Sequence, residues 1–259
     1  MPMPQSGRKL RKREIVFAVG MGGLAAAGAA ALLSADDHGG PSAGQAAADE
    51  EKTYPVGEFE RVSTSGPLDV EIAYGETHSV RAEGAVGRLE VVVENGELII
   101  RPRNNGWDGS DFDSTTLYVT LPRLTQVSLN GPGEISIDKV VSDRFAAVIN
   151  GFGGELEMNG LEVDEAEFTL NGPADVTAAG TARATKVTIN GPGELQAGEL
   201  RSQTASVTVR GPGDVELAVE QQADVSVEGP GEVDIDGPAR CTVTTSGAGS
   251  VSCSGADDD

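Results

Sequence analysis

Between residues 127 and 253, apolar and polar side chains alternate with a period of two, and the alternation keeps its phase around a recurring glycine. Two and four residues before that glycine lie Leu129 and Val127, Ile149 and Ala147, Leu170 and Phe168, and Ile189 and Val187, followed by Val209 and Val207, then Val227 and Val225. The last copy has Thr245 and Val243. Four and six residues after it lie Ile135 and Ile137, Leu156 and Met158, Val176 and Ala178, and Leu195 and Ala197. Val215 and Leu217, Val233 and Ile235, and Val251 and Cys253 complete the series. The intervening positions are polar, as at Ser128, Thr169, Thr188, Thr208 and Ser226. Successive side chains of a strand point to opposite faces, so each apolar column faces inward and each polar one outward. A helix has no use for a period of two.

The glycine belongs to a corner motif that includes Asn130-Gly131-Pro132-Gly133-Glu134, Asn190-Gly191-Pro192-Gly193-Glu194 and Glu228-Gly229-Pro230-Gly231-Glu232. Its first glycine falls at 131, 151, 172, 191, 211, 229 and 247, steps of 18–21 residues, with an outlying copy at Gly66. Self-similarity at this period is the mark of a solenoid: one coil cannot bury its apolar face, and stacked coils can. The pattern predicts an all-β chain forming a right-handed parallel β-helix or β-solenoid with 18–21-residue coils. Glycine serves the corner where φ is positive or the neighbouring coil comes close. Proline, lacking an N–H, suits the corner and not the ladder.

Strands are also expected from Phe59 to Val62, Leu68 to Ile72, Ser79 to Ala82, Leu89 to Val93, Leu98 to Ile100 and Thr115 to Leu121. Glu94-Asn95-Gly96-Glu97 signals a hairpin. Ahead of them a basic run, Arg8 to Arg13, leads into an uncharged stretch from Ile15 to Leu33. That arrangement reads as a cleaved export signal or a retained membrane anchor. The expected layout is a signal or anchor helix over 1–35, a flexible acidic, Ala/Gly-rich spacer over 36–55, a solenoid over 56–255 and an acidic tail over 256–259. The expected location is extracytoplasmic, in the periplasm or at the cell surface. Membrane contact would run through the N-terminal helix if it is uncleaved.

Charge narrows the partners. The 259-residue chain has a net charge of −22, and the part after residue 35 holds 14 basic against 40 acidic residues, or −26. Such a body repels phosphate backbones, so no nucleic-acid partner is expected. The corner acids Asp69, Glu134, Glu155, Asp175, Glu194, Asp214 and Glu232 would form a column, repelling by roughly 1 kcal/mol per neighbour at the dielectric of water. They either form a cation-binding ridge or bind turn N–H groups and splay into solvent. The residues Asn130, Asn150, Asn171 and Asn190 form a second column, as a side-chain ladder or as residues suited to a left-handed corner. Cys241 and Cys253, six residues either side of Gly247, face inward in one terminal coil and are a candidate disulfide or two buried thiols. The loop holding Trp107, Asp108, Asp111 and Asp113 is a candidate ligand loop or an aromatic plug over the core. The sequence has two histidines, His38 and His78, and no nucleophile motif or phosphate loop. No catalytic residue, cofactor or metal site is expected.

The opening from Phe59 through Val62-Ser63-Thr64-Ser65-Gly66-Pro67-Leu68-Asp69-Val70-Glu71-Ile72, the strand Leu98-Ile99-Ile100 and the repeated Asn-Gly-Pro-Gly-Glu corners resemble the head GIN domain family of auto-transporter adhesin heads. The resemblance implies an exported β-solenoid with an adhesin label and carries no functional residues with it. No C-terminal translocator barrel is visible in the sequence. The expected function is a non-enzymatic cell-envelope protein with an adhesin-like binding surface for a glycan or protein partner. The alternatives are a membrane-anchored scaffold or sensory ectodomain and, further off, a polysaccharide-active β-helix enzyme. Self-association through the solenoid ends is a further expectation.

Overall fold

The computed structural model describes residues 50–103 and 115–255. The chain enters through β1 (Glu50–Tyr54), β2 (Arg61–Ser65), β3 (Asp69–Tyr74), β4 (Ser79–Gly84), β5 (Leu89–Glu94), β6 (Glu97–Pro102) and β7 (Thr116–Leu121). It winds on through β8 (Gln126–Asn130), β9 (Glu134–Ile137), β10 (Val140–Asn150), β11 (Gly154–Asn171), β12 (Ala174–Asn190), β13 (Glu194–Arg210) and β14 (Asp214–Glu228). It closes with β15 (Glu232–Asp236), β16 (Arg240–Ser246) and β17 (Ser250–Cys253). Among the described residues, the 17 strands share one continuous hydrogen-bonded sheet. From β8 onward every coil pairs in parallel with the next, and from Gly131 to Gly247 the solenoid makes about six turns.

Register follows the sequence columns. Phe168 lies over Val187, Leu170 over Ile189 and Leu156 over Val176, and the next two coils repeat the match. These side chains are fully buried, each worth roughly 1.5–3 kcal/mol relative to exposure. Every coil has a third side after the second apolar column, and the register slips where it begins, as between Met158 and Leu161. Lengths of 18–21 residues are accommodated there, leaving the two corner strands in phase.

The outlying corner at Gly66 is not outlying in space. Ser65 pairs with Asn130 and Asp69 with Glu134, so the β2–β3 coil lies directly under the β8–β9 coil. The 65-residue gap is spent on the N-terminal end. There β6 and β7 lie beneath β2 and β3, and the antiparallel strands β5, β4 and β1 add the last layers. The hairpin between β5 and β6 turns at Asn95 and Gly96, both with positive φ (52° and 74°), the requirement of a two-residue type I′ turn.

One boundary differs from the sequence expectation. Residues 36–55 read as spacer, yet β1 begins at Glu50 and pairs with β4. Its Glu-Glu-Lys-Thr-Tyr sequence sends one large side chain inward, Tyr54, whose hydroxyl donates to the Val86 carbonyl at 3.2 Å. One inward residue leaves no period to read. The segments 1–35 and 256–259 lie outside the described residues, and among those described no helix is long and apolar enough to cross a membrane.

The corners are what allow stacking. All eight first glycines have φ between 103° and 128°. Each N–H from Gly66 to Gly229 donates to the carbonyl preceding the next corner, as in Gly131 to Asn150 at 2.9 Å and Gly211 to Glu228 at 2.8 Å. The ladder therefore continues around the bend. A Cβ on Gly172 would stand 2.5 Å from the Gly151 carbonyl oxygen. Gly172→Ala is thus expected to lower unfolding stability by at least about 2 kcal/mol, from clash and positive φ together. Chemical denaturation measures this, and a loss below about 0.5 kcal/mol would contradict the corner geometry.

Candidate functional site

The two corner-flanking sheets share one core and present opposite surfaces. Before the corner, the outward column Ser63, Ser128, Val148, Thr169, Thr188, Thr208, Ser226 and Thr244 runs unbroken through the stacked strands. Beside it the asparagines form a side-chain ladder. Asn150 Nδ2 donates to Asn130 Oδ1 at 3.1 Å, Asn171 to Asn150 at 2.8 Å and Asn190 to Asn171 at 2.9 Å. Asn130 anchors the base by donating to the Thr64 carbonyl at 3.3 Å. None of the four has a positive φ; among described non-glycine residues only Asn95 does. The ladder ends where Arg210 replaces asparagine, and Arg210 turns to Glu228, 3.5 Å away. The result is a strip of hydroxyls, interrupted at Val148, beside rigid amides that give way to charge at Arg210.

At the other edge of this sheet, where it bends into the third side, lies a shallow groove of about 570 Å³ crossing several coils. Its floor is made by small side chains, Ala166, Ala184, Thr185 and Ala205, and its walls by Arg144, Glu165, Glu167, Lys186 and Asp224. Arg144 Nε donates to Glu165 at 2.7 Å and Lys186 Nζ to Glu167 at 2.8 Å. Beneath the floor the Thr185 and Ser202 hydroxyls are bonded at 2.6 Å in the interior. These basic residues share no column of the repeat, so their clustering is not legible from the sequence. The legible signal would have been the column Phe145, Ala166, Thr185, Ala205 and Ala223, whose residues shrink after Phe145 where the sheet bends.

After the corner, the surface is acidic. Asp69, Glu134, Glu155, Asp175, Glu194, Asp214 and Glu232 stack in register and all are exposed. No Lys or Arg projects outward from this sheet between β3 and β17. The backbone N–H of Glu232 donates to Asp214 Oδ1 at 3.1 Å; the column as a whole splays into solvent. Among the described residues no three acidic, His or Cys side chains converge as a metal site. Repulsion within the column is felt at Glu134. Partial burial, then the carboxylates of Glu155, Asp69, Glu157 and Glu71, push Glu134 above its ordinary value. Burial does the same to Asp69.

The remaining candidates are placed as follows. Cys241 and Cys253 are bonded, Sγ to Sγ 2.13 Å, with Cα atoms 6.7 Å apart, tying β16 to β17 across the last corner. Trp107, Asp108, Asp111 and Asp113 lie outside the described residues. His78 packs edge-on against Phe59 at 5.0 Å. Its Nε2 lies 3.0 Å from the Phe59 carbonyl, which can only accept, so Nε2 carries the proton. Phe152, in the place other corners give to proline, stands 80% exposed.

A carboxyl whose pKa is raised in the fold binds its proton more readily there than in the unfolded chain. Its stabilising contribution is therefore complete below the ordinary glutamate value of 4.5 and lost as pH rises through the raised value. Mild acidification from pH 7 is accordingly expected to raise the melting temperature. Glu134→Gln should raise it by about 1–2 °C at pH 7, with the gain vanishing as pH falls through the raised pKa. Calorimetry across that range measures both, and a destabilised Glu134→Gln protein at pH 7 would refute the assignment.

Against known proteins, a family model described as "Putative auto-transporter adhesin, head GIN domain" matches residues 58–239. Among solved structures, a "putative adhesin" from Bacteroides fragilis superposes with a TM-score of 0.72 at 20% identity, covering 79% of this chain and 96% of that one. A "putative adhesin" from Parabacteroides merdae gives 0.60 at 16% identity, with coverages of 79% and 95%. A "putative lipid binding protein" from Parabacteroides distasonis gives 0.58 at 16% identity, with coverages of 79% and 96%. At these identities the likeness is one of fold. No curated protein matches the chain in sequence.

Proposed function

The chain belongs to the head GIN domain family, and from that premise we propose that it is an exported, non-enzymatic envelope protein that binds an extended neutral polymer. Its ligand, a glycan or a peptide segment, would lie along the hydroxyl and amide strip and the groove beside it. One observation carries this reading: the groove's cations are already matched, Arg144 to Glu165 and Lys186 to Glu167. A polyanion would gain little from cations so engaged, whereas a neutral polar chain finds donors and acceptors repeated at about 4.8 Å. The acidic sheet on the far side of the corner repels anionic surfaces and leaves this strip as the accommodating face.

The sequence supports export through the basic run and the uncharged stretch from Ile15 to Leu33. The same stretch, retained, would hold the solenoid at a membrane, the scaffold alternative. Catalysis has weaker support. His78 is committed to the Phe59 carbonyl, and the groove carboxylates Glu165 and Glu167 are engaged by cations.

Ala184 lies half-buried in the groove floor, so Ala184→Trp fills the groove from outside the core. Wild-type protein is expected to bind a subset of neutral glycans or extended peptides on an array, and Ala184→Trp to weaken that binding by at least about tenfold, or 1.4 kcal/mol. Binding unchanged by Ala184→Trp, or confined to anionic ligands, would sink the assignment of this face.

A further inference from the structure

The last coil departs from all those beneath it. From Cys241 to Gly255 the chain holds no charged residue. Ser250 stands in the corner column that is acidic in every coil from β3 to β15. Among the described residues β16 pairs only with β14, and β17 only with β15, so neither has a strand partner there on its outer edge. The inward column is uncovered as well: Val243 is 45% exposed, against 3% for Val225 directly below it. Open strand edges are templates for further strands, and charge is the usual device that blunts them. Of the edge strands β16 and β17, only Arg240 at the start of β16 carries charge.

The opposite end is built differently. Its outermost strands, β1 and β5, pair antiparallel with their neighbours and carry Glu51, Lys52, Glu90 and Glu94. The Cys241–Cys253 bond holds β16 and β17 together, so the neutral edge is organised before any partner arrives, which lowers the entropic cost of pairing.

We propose that the terminal coil is a self-association surface through which two copies of this chain meet end to end about a two-fold axis, their edge strands pairing antiparallel. Charge selects the occupant. Two bodies of net charge −22 repel over most of their surfaces, and the uncharged run from Cys241 to Gly255 is where they approach at least cost. A basic partner would be drawn to the acidic sheet instead. The charged N-terminal end of another copy is the poorer match, and that head-to-tail contact would propagate into filaments. A two-fold contact closes at two copies and requires antiparallel edges, which strand ladders accept. Glu232 directly beneath the edge leaves residual repulsion between two copies, so salt should strengthen the contact. This inference is independent of which ligand the groove takes.

The test is sedimentation of the full chain in detergent, at low and high salt, beside the double variant Thr244→Glu, Ser252→Glu. Both positions are exposed and outward-facing, so the added charges lie on the edge strands and not in the core. The expected result is a wild-type dimer that tightens with salt and a double variant whose dissociation constant is at least about tenfold weaker. Hydrogen exchange on the wild type gives a readout free of any folding defect in the variant: amides of β16 and β17 should slow as concentration rises. A monomeric wild type, association weakened by salt, filaments in place of dimers, or exchange at β16 and β17 independent of concentration would each overturn the proposal. So would a dimer that survives the double variant, as one formed through residues 15–33 would.

Discussion

Coils can stack into one ladder only if the chain bends sharply at each corner without withdrawing a backbone donor there. A proline at the bend removes its own N–H, and a residue with a side chain resists the required φ. The first glycine of each corner has φ above 100°, and from Gly66 to Gly229 each gives its N–H to the coil ahead. The register of the two flanking strands follows from this contact. Because the period of a strand is two, a slip of one residue at any corner would send an apolar column into water and a polar one into the core. The corner therefore fixes the fold and also which side chains make up each outer surface.

Once register is locked, similar side chains accumulate one above another, to different effect on each face. Asparagine amides reward stacking by donating along the column, and hydroxyls tolerate it. Carboxylates are penalised by it, and the cost is visible at Glu134, which has both partial burial and four acidic neighbours. The unbroken acid column lies after the corner only, and the basic residues near the groove before it are matched by acids one coil away. A body of uniform mixed charge would have no comparable contrast between a repelling face, a neutral strip and an uncharged end.

Much of this was legible because a period of two survives in the sequence over seven copies. The inward columns, the corner glycines and the inward phase of Cys241 and Cys253 all follow from counting outward from one residue. What escaped was whatever depends on a single copy or on the third side. Strand β1 contributes one buried residue, Tyr54, and one residue has no period. The groove arises where the sheet bends between the third side and the corner strand, and its walls come from positions whose types change from coil to coil. Arg144, Glu165 and Ala184 are stacked neighbours with nothing in common as residues. The choice between an asparagine ladder and left-handed corners needed backbone angles, since both explain the same column.

The dependence of the fold on its corner glycines is tested most directly by native-state hydrogen exchange at those amides, read in dilute solution where copies do not associate. The N–H groups of Gly66, Gly131, Gly151, Gly172, Gly191, Gly211 and Gly229 each donate to the following coil and should be protected as strongly as the strand amides beside them, while Gly247, with no following coil among the described residues, should exchange far faster. Corner amides that exchange like ordinary loop residues, with protection confined to the strands, would contradict the account.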